Sequence, residues 1–210
     1  MINRIYFKSI SLLTIVFIAM VAGILEFSVL LKEKGNYKVI TSDGIGYYSY
    51  LPNTFIDYSL NKQTPDNRFY NKVNDKGVNK YYSGTAVSVS PFFVLGSAMA
   101  KLRGEENDGF SLSYQVAISF AGWCYLLGGL LLFRGLLKLF DFSEAIISIT
   151  ILLLFLGTNS LVYSLWQPSM SHVYSFFWIS GFLYFIKNFS VNNSNPKLCW
   201  AGFFLGMVSL

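Results

Sequence analysis

Long apolar runs dominate this chain and limit what it can fold into. Residues 10–31 form an almost unbroken apolar run, and a helix that crosses a bilayer needs about 20 such residues. The chain has 210 residues, of which 53% are hydrophobic and 13% charged, whereas soluble domains carry about 25% charged residues. We therefore predict an all-α fold, a polytopic bundle of transmembrane helices that forms a single membrane domain.

Further apolar runs follow the first one along the chain. The first run is longer than the 7–15 apolar residues of a signal peptide and has no small-x-small cleavage site, so we predict an uncleaved span. The last run is too short to cross a bilayer, and we expect the chain to be part of a longer protein. The predicted spans are residues 10–31, 112–137, 145–165, 173–187 and 198–210 (incomplete).

Two segments between the first and second predicted spans are not expected to cross the membrane. Residues 32–83 are polar and are predicted to form one long outer loop. Residues 84–103 are apolar, but the run is short and contains Pro91. Because proline disrupts a helix interior, we predict an interfacial or re-entrant helix there.

The basic residues of the short hairpins predict the orientation. If residues 84–103 do not cross, one side collects the basic residues of the chain start and of the later hairpins. The positive-inside rule makes that side the cytoplasm and the long loop extracytoplasmic. Lys32, Lys34 and Lys38 argue against this orientation, but the hairpins agree with one another. The basic residues on the predicted cytoplasmic side are Arg4, Lys8, Arg134, Lys138, Lys187 and Lys197.

Charge and cysteine content exclude several other classes of protein. The net charge of +5 is carried by residues between apolar runs, which indicates contact with lipid headgroups and not with nucleic acid. Cys124 and Cys199 both lie in apolar runs and match no disulfide or zinc spacing. We predict no cofactor and no metal site; a divalent metal is conceivable, but no residue pattern supports one.

One polar stretch, residues 41–52, stands out just after the first predicted span. It reads Thr-Ser-Asp-Gly-Ile-Gly-Tyr-Tyr-Ser-Tyr-Leu-Pro, and its Asp43-Gly44 pair predicts a turn. Tyrosine is enriched at membrane–water interfaces. The stretch is either a surface turn in which Asp43 caps a helix or an acid held at the membrane surface for chemistry.

Three motifs together resemble the N-terminal third of bacterial GT-C glycosyltransferases, the membrane enzymes related to protein O-mannosyltransferases and aminoarabinose transferases. The first is the Asp43 stretch, and the second is Lys80-Tyr81-Tyr82-Ser83-Gly84 before an amphipathic segment. The third combines Gly157-Thr158-Asn159 with Pro168-Ser169-Met170-Ser171-His172. This family usually has an Asp-Glu pair where this chain has Asp43-Gly44.

The resemblance implies an inverting, GT-C-like enzyme in the bacterial inner membrane. It would move a sugar from a polyprenyl-phosphate donor to a lipid, protein or glycan acceptor on the outer face. A carboxylate near the sugar can act as the base for the acceptor hydroxyl, and a lysine or arginine can hold the lipid phosphate. The implied base is Asp43, and the implied substrate-binding residues are Lys80, His172, Tyr47, Tyr48 and Arg68.

Two other functions remain open from the sequence. A transporter or flippase would use Glu26 and His172 to line a path through the membrane, and a third possibility is a non-catalytic scaffold. Transporters carry several polar groups near the bilayer midplane. The predicted spans contain few such groups, and the polar residues gather in the long loop, which favours the transferase.

Overall fold

A computed structural model describes residues 10–33, 36–59, 67–73 and 76–210. These residues are mostly helical, with 74% of them in helices. In chain order the helices are α1 (Ile10–Glu33), α2 (Gly44–Tyr48), α3 (Tyr50–Phe55), α4 (Gly84–Arg103), α5 (Leu112–Lys138), α6 (Glu144–Gly157), α7 (Ser160–Leu165), α8 (His172–Asn192) and α9 (Asn195–Ser209). A short hairpin of β1 (Tyr70–Val73) and β2 (Lys76–Asn79) precedes α4.

Helices α1 and α5 are antiparallel and set the two ends of the bundle. Ser11 at the start of α1 contacts Arg134 near the end of α5, with 2.6 Å from the Arg134 Nε to the Ser11 Oγ. Near the end of α1, Glu26 accepts a hydrogen bond from Ser119, close to the start of α5. We call the end where α5 finishes the Glu144 end, and the end where α5 begins the Asp43 end.

A charged cluster ties three helices together at the Glu144 end. The Glu144 carboxylate lies 2.6 Å from the Lys138 Nζ and 3.4 Å from Arg134, and it accepts hydrogen bonds from the Ser11 backbone and hydroxyl. Its side chain is only 15% exposed. Burial alone would raise the pKa of Glu144, but the hydrogen bonds from Lys138 and Ser11 outweigh it and lower the pKa to about 2.

Small residues allow the helices of the bundle to pack closely. Phe177 of α8 lies against Gly128 of α5, and Phe204 of α9 lies against Gly181 of α8. A side chain at either glycine would overlap the facing ring, so the glycines permit the short interhelical distance. Gly122, Gly128 and Gly129 of α5 all lie at such close contacts, because each of the three faces α7, α8 or the turn between them.

The predicted span at residues 145–165 is not one continuous helix. Helix α6 ends at Gly157, Thr158 is extended with φ −125° and ψ 176°, and α7 begins at Ser160. The start of α6 follows the sequence pattern, because the Ser143 hydroxyl accepts a hydrogen bond from the Ile146 amide as an N-cap. The break at Thr158 interrupts an apolar stretch that is otherwise long enough to cross.

Residues 84–103 form one unbroken helix, which corrects the reasoning from Pro91. This residue lies inside α4 without ending it, and the helix has 20 residues, enough to cross a bilayer by length. Its contacts follow the half of α5 nearest the Asp43 end: Ser88 accepts from the Tyr125 hydroxyl at 2.8 Å, and Phe93 packs on Tyr114. The interfacial or re-entrant placement stays a prediction, which this pattern of contacts favours.

Among the described residues, three helices are long and apolar enough to cross a membrane: α1, α4 and α5. Helix α6 is apolar but has only 14 residues. The other predicted spans, the number of crossings and the orientation stay predictions. Arg4 and Lys8, which the orientation prediction uses, lie outside the described residues, as do Lys34 and part of the loop at residues 32–83.

The described part of the long loop is folded against the Asp43 end. The Gln115 side chain of α5 accepts hydrogen bonds from the backbone amides of Val39 and Ile40, at 2.8 and 2.9 Å. The Ser169 hydroxyl donates to the Val39 carbonyl at 2.8 Å. The loop therefore passes between α5 and the turn before α8, and this path brings the Asp43 stretch onto the bundle.

Candidate functional site at the Asp43 end

Asp43 is exposed and its side chain does not cap the helix that it precedes. Ser42 has a φ of +51°, and Asp43 itself is in the α-helical region with no side-chain capping bond to α2. Of the two roles that the sequence left open for Asp43, the structure therefore excludes helix capping. Its carboxylate instead accepts a hydrogen bond from the Tyr81 hydroxyl; partial burial and this carboxylate raise the pKa of Tyr81 to about 12.

Gly44 explains why this chain has no second acid next to Asp43. A Cβ at position 44 would overlap the Ser169 hydroxyl and lie 3.1 Å from the Ser169 carbonyl carbon. Ser169 is itself buried and bonded to Val39, so it cannot move aside cheaply. A glutamate at position 44, as in the Asp-Glu pair of the family that the sequence resembles, would therefore not fit.

A network of polar groups holds Tyr81 beside Asp43. The Asn79 side-chain amide donates to the Gly46 carbonyl at 2.8 Å and to the Ser49 hydroxyl at 3.2 Å. The Asn79 side-chain oxygen, Oδ1, accepts a hydrogen bond from the Tyr81 backbone amide at 3.0 Å. This joins the end of the hairpin to α2, and the Tyr81 ring covers Gly46, where a Cβ would overlap it.

Tyr47 and Lys80 complete an exposed group of side chains around Tyr81. The Tyr47 and Tyr81 ring centres are 4.5 Å apart, and the Lys80 Nζ lies 5.7 Å from the Tyr81 ring centre. Tyr47 also lines a cavity of about 170 Å³ together with Tyr82, Ser171, Ser175 and Trp178. Tyr47 therefore connects the Asp43–Tyr81 pair to a cavity with hydroxyl and aromatic walls.

Tyr48 does not face this site, which corrects its assignment as a substrate-binding residue. It is 1% exposed, its hydroxyl donates to the Gly109 carbonyl at 2.6 Å, and its ring packs on Phe93 and Phe110. Successive residues of a helix point in directions about 100° apart, so Tyr47 and Tyr48 cannot both face the same cavity. Tyr48 anchors α2 to α4 and to the turn before α5.

Arg68 lies at the start of the hairpin, close to the site. Its guanidinium carbon is 5.9 Å from the ring centre of Phe69, and Phe69 in turn packs on Tyr81 with 6.1 Å between ring centres. Phe69 is buried. Arg68 is exposed, and its role toward a lipid phosphate stays a prediction.

His172 lies at the same end of the bundle but opens into a different cavity. Its ring stacks flat on Tyr163, with 3.8 Å between centres and 5° between planes. The cavity that it lines, about 250 Å³, also includes Thr158 and Asn159 but not Tyr47. His172, which the resemblance assigns to the same substrate site as Tyr47, therefore lines a separate cavity, although Ser171 does line the cavity of Tyr47.

Glu26 lines a third cavity, of about 170 Å³, beside Tyr37, Lys38 and Trp166. Its carboxylate is bonded by the hydroxyls of Ser119 and Tyr37, which accounts for an acid inside α1. Because Glu26 and His172 line separate cavities, the path that a transporter would need between them is not formed by these linings.

Within the described ranges, no group of three or more His, Cys, Asp or Glu side chains is arranged to hold a metal ion. The candidate site is therefore built from one carboxylate, one lysine and two tyrosines. Tyr81 and Asn79 were not among the predicted site residues. Tyr81 was within a quoted motif, but only the fold shows that it bonds Asp43.

No protein-family model, curated protein or solved structure matches this chain.

Proposed function

We propose that this chain is the membrane part of a glycosyltransferase that moves a sugar from a polyprenyl-phosphate donor to an acceptor hydroxyl. The proposal starts from the resemblance of the Asp43, Lys80 and His172 motifs to GT-C enzymes. The observation that carries it is the state of Asp43: an exposed carboxylate with no capping role, bonded by Tyr81 and close to the hydroxyl-lined cavity of Tyr47.

The chemistry needs few groups. The acceptor hydroxyl oxygen forms a bond to the anomeric carbon of the sugar while the bond from that carbon to the phosphate oxygen breaks. The acceptor proton passes to Asp43, and the electron pair leaves with the lipid phosphate. A positioned base contributes about 10²–10⁴ in rate, and attack from the face opposite the phosphate inverts the anomeric centre.

The neighbours of Asp43 fit these roles. The Tyr81 hydroxyl interacts with the Asp43 carboxylate and would help to position it toward the acceptor. The Lys80 Nζ lies 5.7 Å from the Tyr81 ring centre and offers a positive charge for the leaving phosphate. Tyr47 and Tyr82, which line the cavity, supply aromatic faces for a sugar ring. The Asp43 end would then face the periplasm, as the basic hairpins predict.

Membranes from cells that express the longest reading frame that includes this chain would show which class of sugar donor the protein uses. They would be incubated with a radiolabelled sugar carried either on polyprenyl phosphate or on a nucleotide. We expect label to reach a new product only from the polyprenyl-phosphate donor, with free polyprenyl phosphate released in equal amount. Transfer from the nucleotide donor alone, or no transfer from either donor, would contradict the proposal.

A further inference from the structure

The break between α6 and α7 opens the cavity that His172 lines. Thr158 leaves the helix, and its hydroxyl donates to the Leu154 carbonyl at 2.6 Å and contacts the Ser160 hydroxyl at 2.8 Å. Local hydroxyls therefore satisfy part of the backbone that the break exposes. The cavity of about 250 Å³ lies next to these residues, with Tyr163 and His172 on one side.

Three helices place this cavity at the same depth. Thr158 follows the 14 residues of α6 that begin at Glu144, which is about 21 Å at 1.5 Å per residue. By the same rise, Leu126 lies about 18 Å from Lys138 on α5, and His172 about 22 Å from Lys187 on α8. If these charged residues mark one membrane surface, the cavity lies roughly 10 Å inside the other surface of a hydrocarbon layer about 30 Å thick.

Non-helical backbone at that depth needs hydrogen-bonding partners. Non-helical backbone within the hydrocarbon layer is tolerated where it lines a cavity or is buried in protein. Here Thr158, Asn159 and His172 are all exposed. Among the described residues, no hydrogen bond joins the Asn159 amide or the His172 ring nitrogens to another protein group. The site thus presents hydrogen-bonding groups toward lipid without a protein partner.

The residues that line the cavity indicate the chemistry of the ligand that would bind there. Among the described residues, no Lys, Arg, Asp or Glu lines the cavity, and its apolar floor consists of Leu126, Val173 and Phe176. A phosphate headgroup would require a cation in the wall. The flat pair of Tyr163 and His172 offers an aromatic surface for the C–H face of a sugar ring, and the Asn159 amide suits hydroxyl groups.

We propose that this cavity binds the headgroup of an uncharged, hydroxyl-bearing membrane lipid, of which a monoglycosyl diacylglycerol is the simplest example. The sugar would lie against the Tyr163–His172 pair, its hydroxyls would bond Asn159 and the His172 ring, and the lipid chains would follow the apolar floor. This site does not depend on Asp43 or on sugar transfer, because its residues are separate from the cavity of Tyr47.

Two photoactivatable lipids with the same diazirine-bearing chain test the proposal in nanodiscs containing the full-length protein. One carries a monoglucosyl headgroup and the other is phosphatidic acid. We expect the glucosyl lipid to label peptides from residues 158–163 and 172–176, and unlabelled glucosyl lipid to compete with this labelling. The glucosyl lipid should label these peptides at least about fivefold more than phosphatidic acid does, because one hydrogen bond contributes a free energy of about that ratio.

Variants separate recognition from mere proximity. His172→Phe keeps a ring to stack on Tyr163 but removes both nitrogens, and Asn159→Ala removes the amide; together they should lower glucosyl-lipid labelling about tenfold. Thr150→Val is the control, since Thr150 is half-buried on α6, does not line this cavity, and its hydroxyl bonds only its own helix. Thermal unfolding midpoints confirm that the variants fold.

Equal labelling by both lipids, or labelling that the double variant leaves unchanged while its unfolding midpoint matches the parent, would overturn the proposal. The absence of any lipid adduct on these peptides, which is the result expected if another protein segment or a second copy fills the cavity, would also overturn it. A loss of labelling in the double variant with Thr150→Val unchanged would support it.

Discussion

Gly44 occupies a position where the fold has no room for a side chain. Ser169 lies where a Cβ at position 44 would be, and Ser169 is fixed by its bond to the Val39 carbonyl. The sequence predicts a turn at Asp43-Gly44 from the freedom of the glycine backbone. The structure gives a second reason, because Gly44 is helical and is needed for close approach.

Gly44→Ala should therefore destabilise the protein by about 1–3 kcal/mol, the usual cost of overpacking. Gly202→Ala is the matched control, since position 202 is helical with no atom within 4 Å of an added Cβ; alanine there should be neutral or stabilising by up to about 1 kcal/mol. Thermal unfolding of both variants in the same detergent measures the difference. An unchanged midpoint for Gly44→Ala would show that Ser169 moves freely.

The tyrosines show where residue-level prediction stops. The sequence shows that Tyr47, Tyr48 and Tyr50 follow an acid, and interface preference alone treats them alike. The fold separates them: Tyr47 lines a cavity, Tyr48 is buried, and the Tyr50 hydroxyl donates to the Tyr81 carbonyl at 2.6 Å. These differences depend on α4 and the hairpin packing from distant parts of the chain, which no local pattern encodes.

At the scale of elements, the long apolar helices and the interruption of residues 145–165 at Gly157-Thr158-Asn159 could be predicted from the sequence, but the partners of each element could not. The predicted spans at residues 10–31 and 112–137 match α1 and α5 within two residues. The hairpin of β1 and β2 was not predicted, because its strands are four residues each and alternate weakly. Glu144 was not singled out either, although it joins α1, α5 and α6, since its partners lie in other helices.

Glu144→Gln should weaken the Glu144 end in a pH-dependent way. Because the folded-state pKa of Glu144 is lowered to about 2 from an ordinary value near 4.5, its stabilising effect is complete above pH 4.5 and is lost as the pH falls toward 2. The parent should thus unfold at higher temperature than the variant at pH 6, the gap should narrow below pH 4.5, and the two midpoints should converge only near pH 2. Glu106→Gln, at an exposed acid, is the control and should follow the parent. A gap between Glu144→Gln and the parent that stays constant from pH 6 to pH 3 would contradict this role.

Helix α4 offers a direct test of its placement. Cysteines replacing Tyr82 and Leu102, which are 79% and 88% exposed, would be labelled in a background lacking Cys124 and Cys199. We expect a membrane-impermeant reagent to reach both from the periplasmic side of intact cells, because both ends of α4 contact the Asp43 end. A cysteine replacing Phe142, near the Glu144 end and 46% exposed, should react only after permeabilisation. Labelling of positions 82 and 102 from opposite sides would show that α4 crosses the membrane.

At the scale of the whole molecule, charged and polar chemistry is divided between two ends of an apolar bundle. At the Glu144 end, the Glu144 carboxylate of α6 forms ion pairs with Arg134 and Lys138 of α5. The Asp43 end instead keeps an exposed carboxylate and an exposed lysine beside the half-buried tyrosines Tyr47 and Tyr81, and Tyr47 lines a cavity. The two ends therefore differ in how their charged groups are used.

The central claim is that Asp43 acts as the base in sugar transfer, and a comparison of two variants tests it most directly. Asp43→Asn keeps the size and turn preference of the side chain but cannot hold the acceptor proton. Asp141→Asn makes the same charge change at an exposed residue of the Glu144 end, where the φ of +59° suits asparagine as well as aspartate.

The transfer rate from a polyprenyl-phosphate sugar donor would be measured for both purified variants and the parent, with a thermal unfolding curve for each. We predict that Asp43→Asn lowers the rate by about 10²–10⁴ at an unchanged unfolding midpoint, while Asp141→Asn transfers at the parental rate. Equal rates for Asp43→Asn and the parent at equal stability would contradict the account, and Asp43 would then be a surface turn residue without a catalytic role.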